Sequence, residues 1–148
     1  MPKIEPEVIM AKLEFMNRYL DRLEEFSNIS LTDYLESLNT QSLVERFLQL
    51  IAETGNDTNR HILKGLGRQQ PKQNRDTPIA IAQTGVIDHD LASRLSRSIG
   101  LRNVIVHLYD EIDPTVVHGA IQKTLRDYSM YQVQITNYLD LLEKNNGG

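Results

Sequence analysis

Neither cysteine nor tryptophan occurs in the 148 residues. The missing cysteine excludes a disulfide framework, a thiolate-bound zinc and thiol catalysis, and it suits a reducing compartment. Nowhere is there the roughly 20-residue apolar run that a membrane-spanning helix needs, and Met1-Pro2-Lys3-Ile4-Glu5-Pro6-Glu7 has no apolar signal-peptide core. The expectation is a cytoplasmic protein with no membrane partner. Also missing is any sustained period-two alternation between hairpin turns, which argues against strands, and any repeat at solenoid spacing.

What is present is an ordinary globular composition, 40% hydrophobic and 24% charged, in a chain long enough for one core. The net charge of -4 excludes coating nucleic acid by bulk electrostatics but permits a local basic site. Between Asp57 and Asp76 no acidic residue interrupts Arg60, His61, Lys64, Arg68, Lys72 and Arg75. Of these, Lys64, Arg68, Lys72 and Arg75 are candidate RNA contacts, set against the plainer reading of a solvated connection.

Helical periodicity runs through the chain. Ile9, Leu13, Met16, Leu20 and Leu23 recur at intervals of four and three, which predicts a helix from about Glu5 to Phe26. Ser30 or Thr32 can cap a short helix through Leu38, and Asn39 or Thr40 can cap a long one whose apolar face is Leu43, Phe47, Leu50 and Ile51. Gly55 weakens that helix, which should kink there or lean on tertiary support. Residues 65–77, with Gly65, Gly67 and Pro71 and almost no apolar side chains, read as a mobile loop.

Thr77 can cap a short helix that begins at Pro78, and Asp88 can cap the next long one. That helix is expected to reach Asp113-Pro114, burying Leu101, Val104, Ile105, Leu108 and Ile112. The last helix starts at Pro114 and packs through Val117, Ile121, Leu125, Tyr128, Ile135, Tyr138, Leu139 and Leu142. The predicted fold is all-α, an antiparallel four-helix bundle with one or two short accessory helices, formed by a single domain over residues 1–144 with a frayed tail at 145–148.

The chemistry-bearing stretch is Arg102-Asn103-Val104-Ile105-Val106-His107-Leu108-Tyr109, followed by Ile112-Asp113. An imidazole that moves a proton and a guanidinium that steadies charge on phosphorus suit metal-free phosphodiester cleavage, and RNA supplies its own 2'-hydroxyl nucleophile. Asn103 can orient the imidazole or bind a phosphate oxygen. Five residues of helix separate Arg102 from His107 by about 7.5 Å and about 140°. One helix therefore does not aim both at a single atom, and a two-fold dimer that packs this face against its copy solves the geometry better. His89, between Asp88 and Asp90, lacks a ligand framework and reads as a helix start, so no metal or cofactor is expected.

This stretch resembles the R-N-x-x-x-H-x-Y motif of HEPN-domain ribonuclease toxins of the HepT type, and helix order and length are similar over nearly the whole chain. The resemblance implies a HEPN-like homodimeric toxin that cleaves RNA, with tRNA a reasonable substrate, through a composite site of Arg102 and His107 from both protomers assisted by Asn103. It also implies an MntA-like nucleotidyltransferase antitoxin that silences the toxin by transferring AMP to Tyr109. It further suggests that Glu53 or Asp57 approaches the motif arginine. The alternative is a non-catalytic helical subunit of a nucleotidyltransferase pair, which needs only the bundle and Tyr109.

Overall fold

Amphipathic periodicity and well-placed caps give six helices in a computed structural model that describes residues 3–146. They are α1 (Pro6–Glu24), α2 (Leu31–Glu36), α3 (Leu38–Gly65), α4 (Thr77–Gln83), α5 (His89–His107) and α6 (Pro114–Asn146), and no strand occurs among the described residues. The first residues of α1 share an end of the molecule with the last turns of α3 and α6. At the opposite end, Ser27 and Ile29, just past α1, accept hydrogen bonds from Gln122 and His118 near the start of α6. The ion pair Arg94–Asp127 and the contact of Asp88 with Gln134 set α5 against α6 head to tail. The four long helices thus run up, down, up, down, as an antiparallel bundle.

All five expected residues of α1 are buried. Ser30 caps α2, its hydroxyl accepting from the Asp33 amide at 3.1 Å. The cap of α3 differs from expectation: Ser37 accepts from the Thr40 amide at 3.2 Å, so Asn39 and Thr40 lie inside the helix. Its buried stripe is shifted by one residue as well. Val44, Leu48 and Ile51 face the core, while Leu43 is 49% exposed and Phe47 and Leu50 are half-buried.

The middle of α3 is the least expected part of the core. Thr54, Gly55, Asn56, Thr58 and Asn59 are all buried, and the helix runs unbroken through the glycine. A Cβ on Gly55 would stand 2.9 Å from Cε1 of Tyr128; glycine is there to let α6 approach, and the contact supplies the tertiary support. The Tyr131 hydroxyl donates to Asn59 Oδ1, and Asn59 Nδ2 donates to the Thr77 hydroxyl at 3.2 Å. That hydroxyl also lies 3.0 Å from Asn56 Oδ1. Asn56, Asn59, Thr77 and Tyr131 are therefore paired, as their desolvation requires, and together they tie α3, α4 and α6. Burial pushes the Tyr128 phenol up to about 12.

Residues 65–77 are not loose. Gly67, at φ 68°, turns the chain out of α3, and the Arg60 guanidinium then holds the segment through Gln70 Oε1 and the Pro71 carbonyl, each at 3.1 Å, and Asn74 Oδ1 at 2.8 Å. The Ser96 hydroxyl donates to the Arg75 carbonyl at 2.8 Å, fastening the loop to α5. Thr77 is the first residue of α4 rather than its cap. At the C-terminus, Asn145 and Asn146 continue α6, because neither asparagine breaks a helix and the first glycine comes only at 147. Gly147 and Gly148 lie outside the described residues.

Gly55→Ala should lower stability. Overpacking against a fixed ring costs about 1–3 kcal/mol, and the helix-propensity gain of about 1 kcal/mol offsets only part of it. Urea unfolding should show a net loss of about 1 kcal/mol; a gain would mean that the Tyr128 ring yields.

Candidate active site

Asp88 sets the start of α5. Its Oδ1 accepts from the Leu91 amide at 2.7 Å, as expected for the cap, and its Oδ2 accepts from Gln134 Nε2 at 2.7 Å. The Asp88 amide in turn donates to Gln134 Oε1 at 2.9 Å. The hydrogen bonds of Leu91 and Gln134 hold the carboxyl below its usual range. A side chain of α6 therefore fixes the register of the helix that carries Arg102, Asn103 and His107.

The other end of α5 departs from the sequence reading. The helix stops at His107, because Leu108 takes φ -127° and ψ 45°, and Tyr109–Glu111 form a single 3-10 turn. Asp113-Pro114 starts α6, with Asp113 Oδ1 accepting from the Thr115 amide at 3.0 Å, but it does not end α5. The reasons are local. Val104, Ile105 and Val106 are β-branched and weak helix formers, and Asp110, Glu111 and Asp113 would place three acids at the negative end of a longer helix. Leu108 is consequently 44% exposed rather than buried, and Ile105 alone of the five expected residues is fully in the core.

Tyr109 therefore lies beyond the helix, on the turn, with 76% of its surface exposed. His107, the last helical residue, is also exposed. It makes no side-chain hydrogen bond among the described residues.

Arg102 is the fixed member of the group. Its Nε and Nη2 donate to Glu53 Oε1 on α3, at 3.1 and 2.5 Å, and its Nη1 donates to Asn103 Oδ1 at 3.1 Å. The Arg102 side chain is 19% exposed and that of Glu53 33%. Burial pushes the Glu53 carboxyl up, yet hydrogen bonds from Arg102 and Gln49 and the charges of Arg102 and Arg46 outweigh it, leaving the carboxyl below its usual value. A guanidinium has five N–H groups, so the three spent here leave two for an anion. Asn103 serves the arginine within the protomer rather than the imidazole.

Asp57, the other acid singled out on α3, makes no ion pair among the described residues. It lines a polar cavity of about 200 Å³ with Glu53, Asn56, Asn74 and Arg102. Lys64, Arg68, Lys72 and Arg75 are all exposed. Arg60, which the sequence grouped with them, is committed to holding their loop. Tyr128 and Tyr131 are buried and present no ring for stacking a base. Among the described residues no three His, Asp or Glu side chains gather into a group that could hold a metal ion, and His89 stays a first-turn residue of α5.

The family profile described as "Ribonuclease HepT-like" matches residues 16–135. The chain is 43% identical over 146 residues to the tRNA nuclease HepT of Aphanizomenon flos-aquae, covering 99% of both chains. It is 26% identical over 125 residues to the mRNA nuclease HepT of Shewanella oneidensis, covering 84% of this chain and 93% of that one. Among solved structures, the tri-AMPylated Shewanella oneidensis HEPN toxin in complex with its MNT antitoxin superposes with a TM-score of 0.80 at 25% identity, over 88% of this chain and 97% of that one.

The Glu53–Arg102 pair carries a pH signature. A carboxyl held low in the folded state contributes stability above its ordinary value of 4.5, and that contribution is lost as the pH falls through the lowered native value. Urea unfolding at a series of acidic pH values should therefore show a shallower acid limb for Glu53→Gln than for the wild type. Superimposable limbs would mean that the pair carries no pH-linked stability.

Proposed function

The chain belongs to the HepT-like ribonuclease family, and from that premise we propose that it is a toxin of the HEPN class that cleaves RNA without a metal, in a homodimer whose cleft holds Arg102 and His107 of both protomers. The reading rests on one observation: an exposed imidazole and a half-satisfied guanidinium stand on the terminal turns of one helix, in a chain whose relatives are nucleases. His107 takes the proton of the 2'-hydroxyl, whose oxygen attacks the adjacent phosphorus. The P–O5' bond breaks, and the imidazolium of the second protomer returns a proton to the leaving oxygen. The products are a 2',3'-cyclic phosphate and a 5'-hydroxyl end. The two free N–H groups of Arg102 steady the charge that builds on the nonbridging oxygens, while Glu53 and Asn103 fix the direction in which they point.

A dimer answers a constraint of α5 itself. Arg102 and His107 diverge by about 140° around the helix, so a phosphate held by one protomer's arginine is better reached by the imidazole of its copy. The substrate is proposed to be RNA, with tRNA favoured by the more similar of the two nuclease relatives. Lys64, Arg68, Lys72 and Arg75, exposed on a loop fastened to α5, are proposed as additional phosphate contacts. Purified protein should cleave RNA in the presence of EDTA and leave cyclic phosphate ends, whereas His107→Ala should lose at least about 100-fold in rate, the low end of what a general acid–base group contributes. Equal cleavage by both proteins would sink the assignment.

The regulatory reading assigns Tyr109 as the acceptor of AMP from an MntA-like nucleotidyltransferase antitoxin. The phenol attacks the α-phosphorus of ATP, its proton leaves to solvent or base, and pyrophosphate departs. The exposed turn suits this role, since the hydroxyl is accessible and the added phosphate would stand only two residues from His107, where its charge and bulk oppose RNA. Co-expression with the antitoxin followed by intact-mass measurement should show AMP adducts on wild-type protein and none on Tyr109→Phe. An adduct that survives the substitution would remove Tyr109 as the acceptor. A non-catalytic subunit of such a pair is the second reading, and it is favoured if modification occurs while cleavage is absent.

A further inference from the structure

Between α5 and α6 lies a groove of about 240 Å³ that opens beside Arg102. It is lined by the apolar side chains of Leu48, Leu101, Val116 and Ala120, and by Arg94, Arg97 and Arg102 from α5 and Lys123 and Arg126 from α6. Five cations facing one carboxylate, Asp127, are conspicuous on a chain whose net charge is -4.

These cations are not equivalent. Asp127, only 5% exposed, accepts from Arg94 Nε and Arg126 Nε, both at 2.9 Å, and Arg94 also reaches Asp90 at 3.2 Å. Arg94 thereby ties α5 to α6, and Arg126 is spent on its own neighbour in α6. Arg97 and Lys123 are exposed and make no ion pair or side-chain hydrogen bond among the described residues. Both line the groove, Arg97 from α5 and Lys123 from α6. Beside them, the Ser98 hydroxyl accepts from the Tyr128 phenol at 3.1 Å, which leaves its own proton free to donate. Arg97 and Arg102 of α5 both line this groove.

Building on the ribonuclease reading, we propose that this groove seats the phosphodiester backbone of the RNA strand next to the scissile bond, with Arg97 and Lys123 as its phosphate contacts. Arg102 engages the reacting phosphate, and Arg97 and Lys123 grip a neighbouring one, while the apolar lining lies under ribose. Arg97 and Lys123 are positioning residues: they set which phosphate reaches Arg102 and do not touch the reacting atoms. A second copy of the chain is the competing occupant. The groove offers it no acidic side chain beyond the already saturated Asp127, and its unpaired cations suit a polyanion better.

The test uses a short fluorescein-labelled oligouridylate and the full chain carrying His107→Ala, so that binding is read without cleavage. Adding Arg97→Gln and Lys123→Gln should weaken binding at least tenfold at low salt. The slope of log affinity against log salt should fall in magnitude by about 0.7, since the two side chains share one phosphate and each phosphate contact on a single strand is worth about 0.7. The charge-keeping pair Arg97→Lys and Lys123→Arg should keep the parental slope, which separates lost charge from a disturbed fold. An unchanged slope in the glutamine variant overturns the proposal. So does an unchanged slope accompanied by a shift to monomer in sedimentation velocity, which would make the groove an interface between copies. Absence of RNA cleavage by the protein with His107 intact would instead remove the ribonuclease reading, with the salt slope still deciding whether the groove holds RNA.

Discussion

The close approach of α6 to the middle of α3, made possible by the missing side chain at Gly55, is the constraint on which the rest of the molecule rests. With the Tyr128 ring seated against that glycine, the polar residues around it cannot reach water and must find partners within the bundle. Asn59 finds Tyr131 and Thr77; Thr54 and Thr58 turn their hydroxyls back onto the carbonyls of Leu50 and Thr54. A segment with the composition of a surface thereby becomes an interior cross-brace. Hydrogen bonds left unmade there would each cost the desolvation of a buried polar group, which makes the register of α3 against α4 and α6 specific rather than merely apolar.

That register places the chemistry. Glu53 is two residues from Gly55, so fixing the glycine against α6 fixes the carboxylate opposite α5. At the same time Gln134 of α6 clips the start of α5 through Asp88. Arg102 is thus located from two directions, by the position of its helix and by the carboxylate that receives it. The partly buried ion pair is a device for aiming, since a carboxylate that engages one edge of a guanidinium directs its remaining N–H groups elsewhere. His107 and Tyr109 have no such fixation. They sit exposed where α5 gives way to a turn.

Periodicity made the bundle readable in advance: the stripe of α1, the caps Ser30 and Asp88, and the start of α6 at Pro114 are local consequences of side-chain spacing and backbone sterics. Reading failed where tertiary forces overruled local ones. Leu43 and Phe47 look like the face of α3, but the helix is rotated so that Val44 and Leu48 pack inward and Asn56 and Asn59 find partners. The run to Asp113 looks like one helix, yet β-branched residues followed by three acids end it at His107. The basic loop looks loose, and Arg60, one of its own apparent cations, ties it down.

For the site, the amino-acid sequence by itself determined which groups are available: Arg102, Asn103, His107 and Tyr109 lie within eight consecutive residues, and their chemical kinds and spacing are covalent facts. Only the tertiary structure decided which of them is held and which is free. Glu53 lies 49 residues from Arg102 along the chain, and Arg97 and Lys123 line one groove from two different helices; no local pattern encodes such arrangements, because they depend on how entire helices rotate and pack. Spacing within a helix is set by the backbone, whereas partnership between helices is set by the burial of everything else.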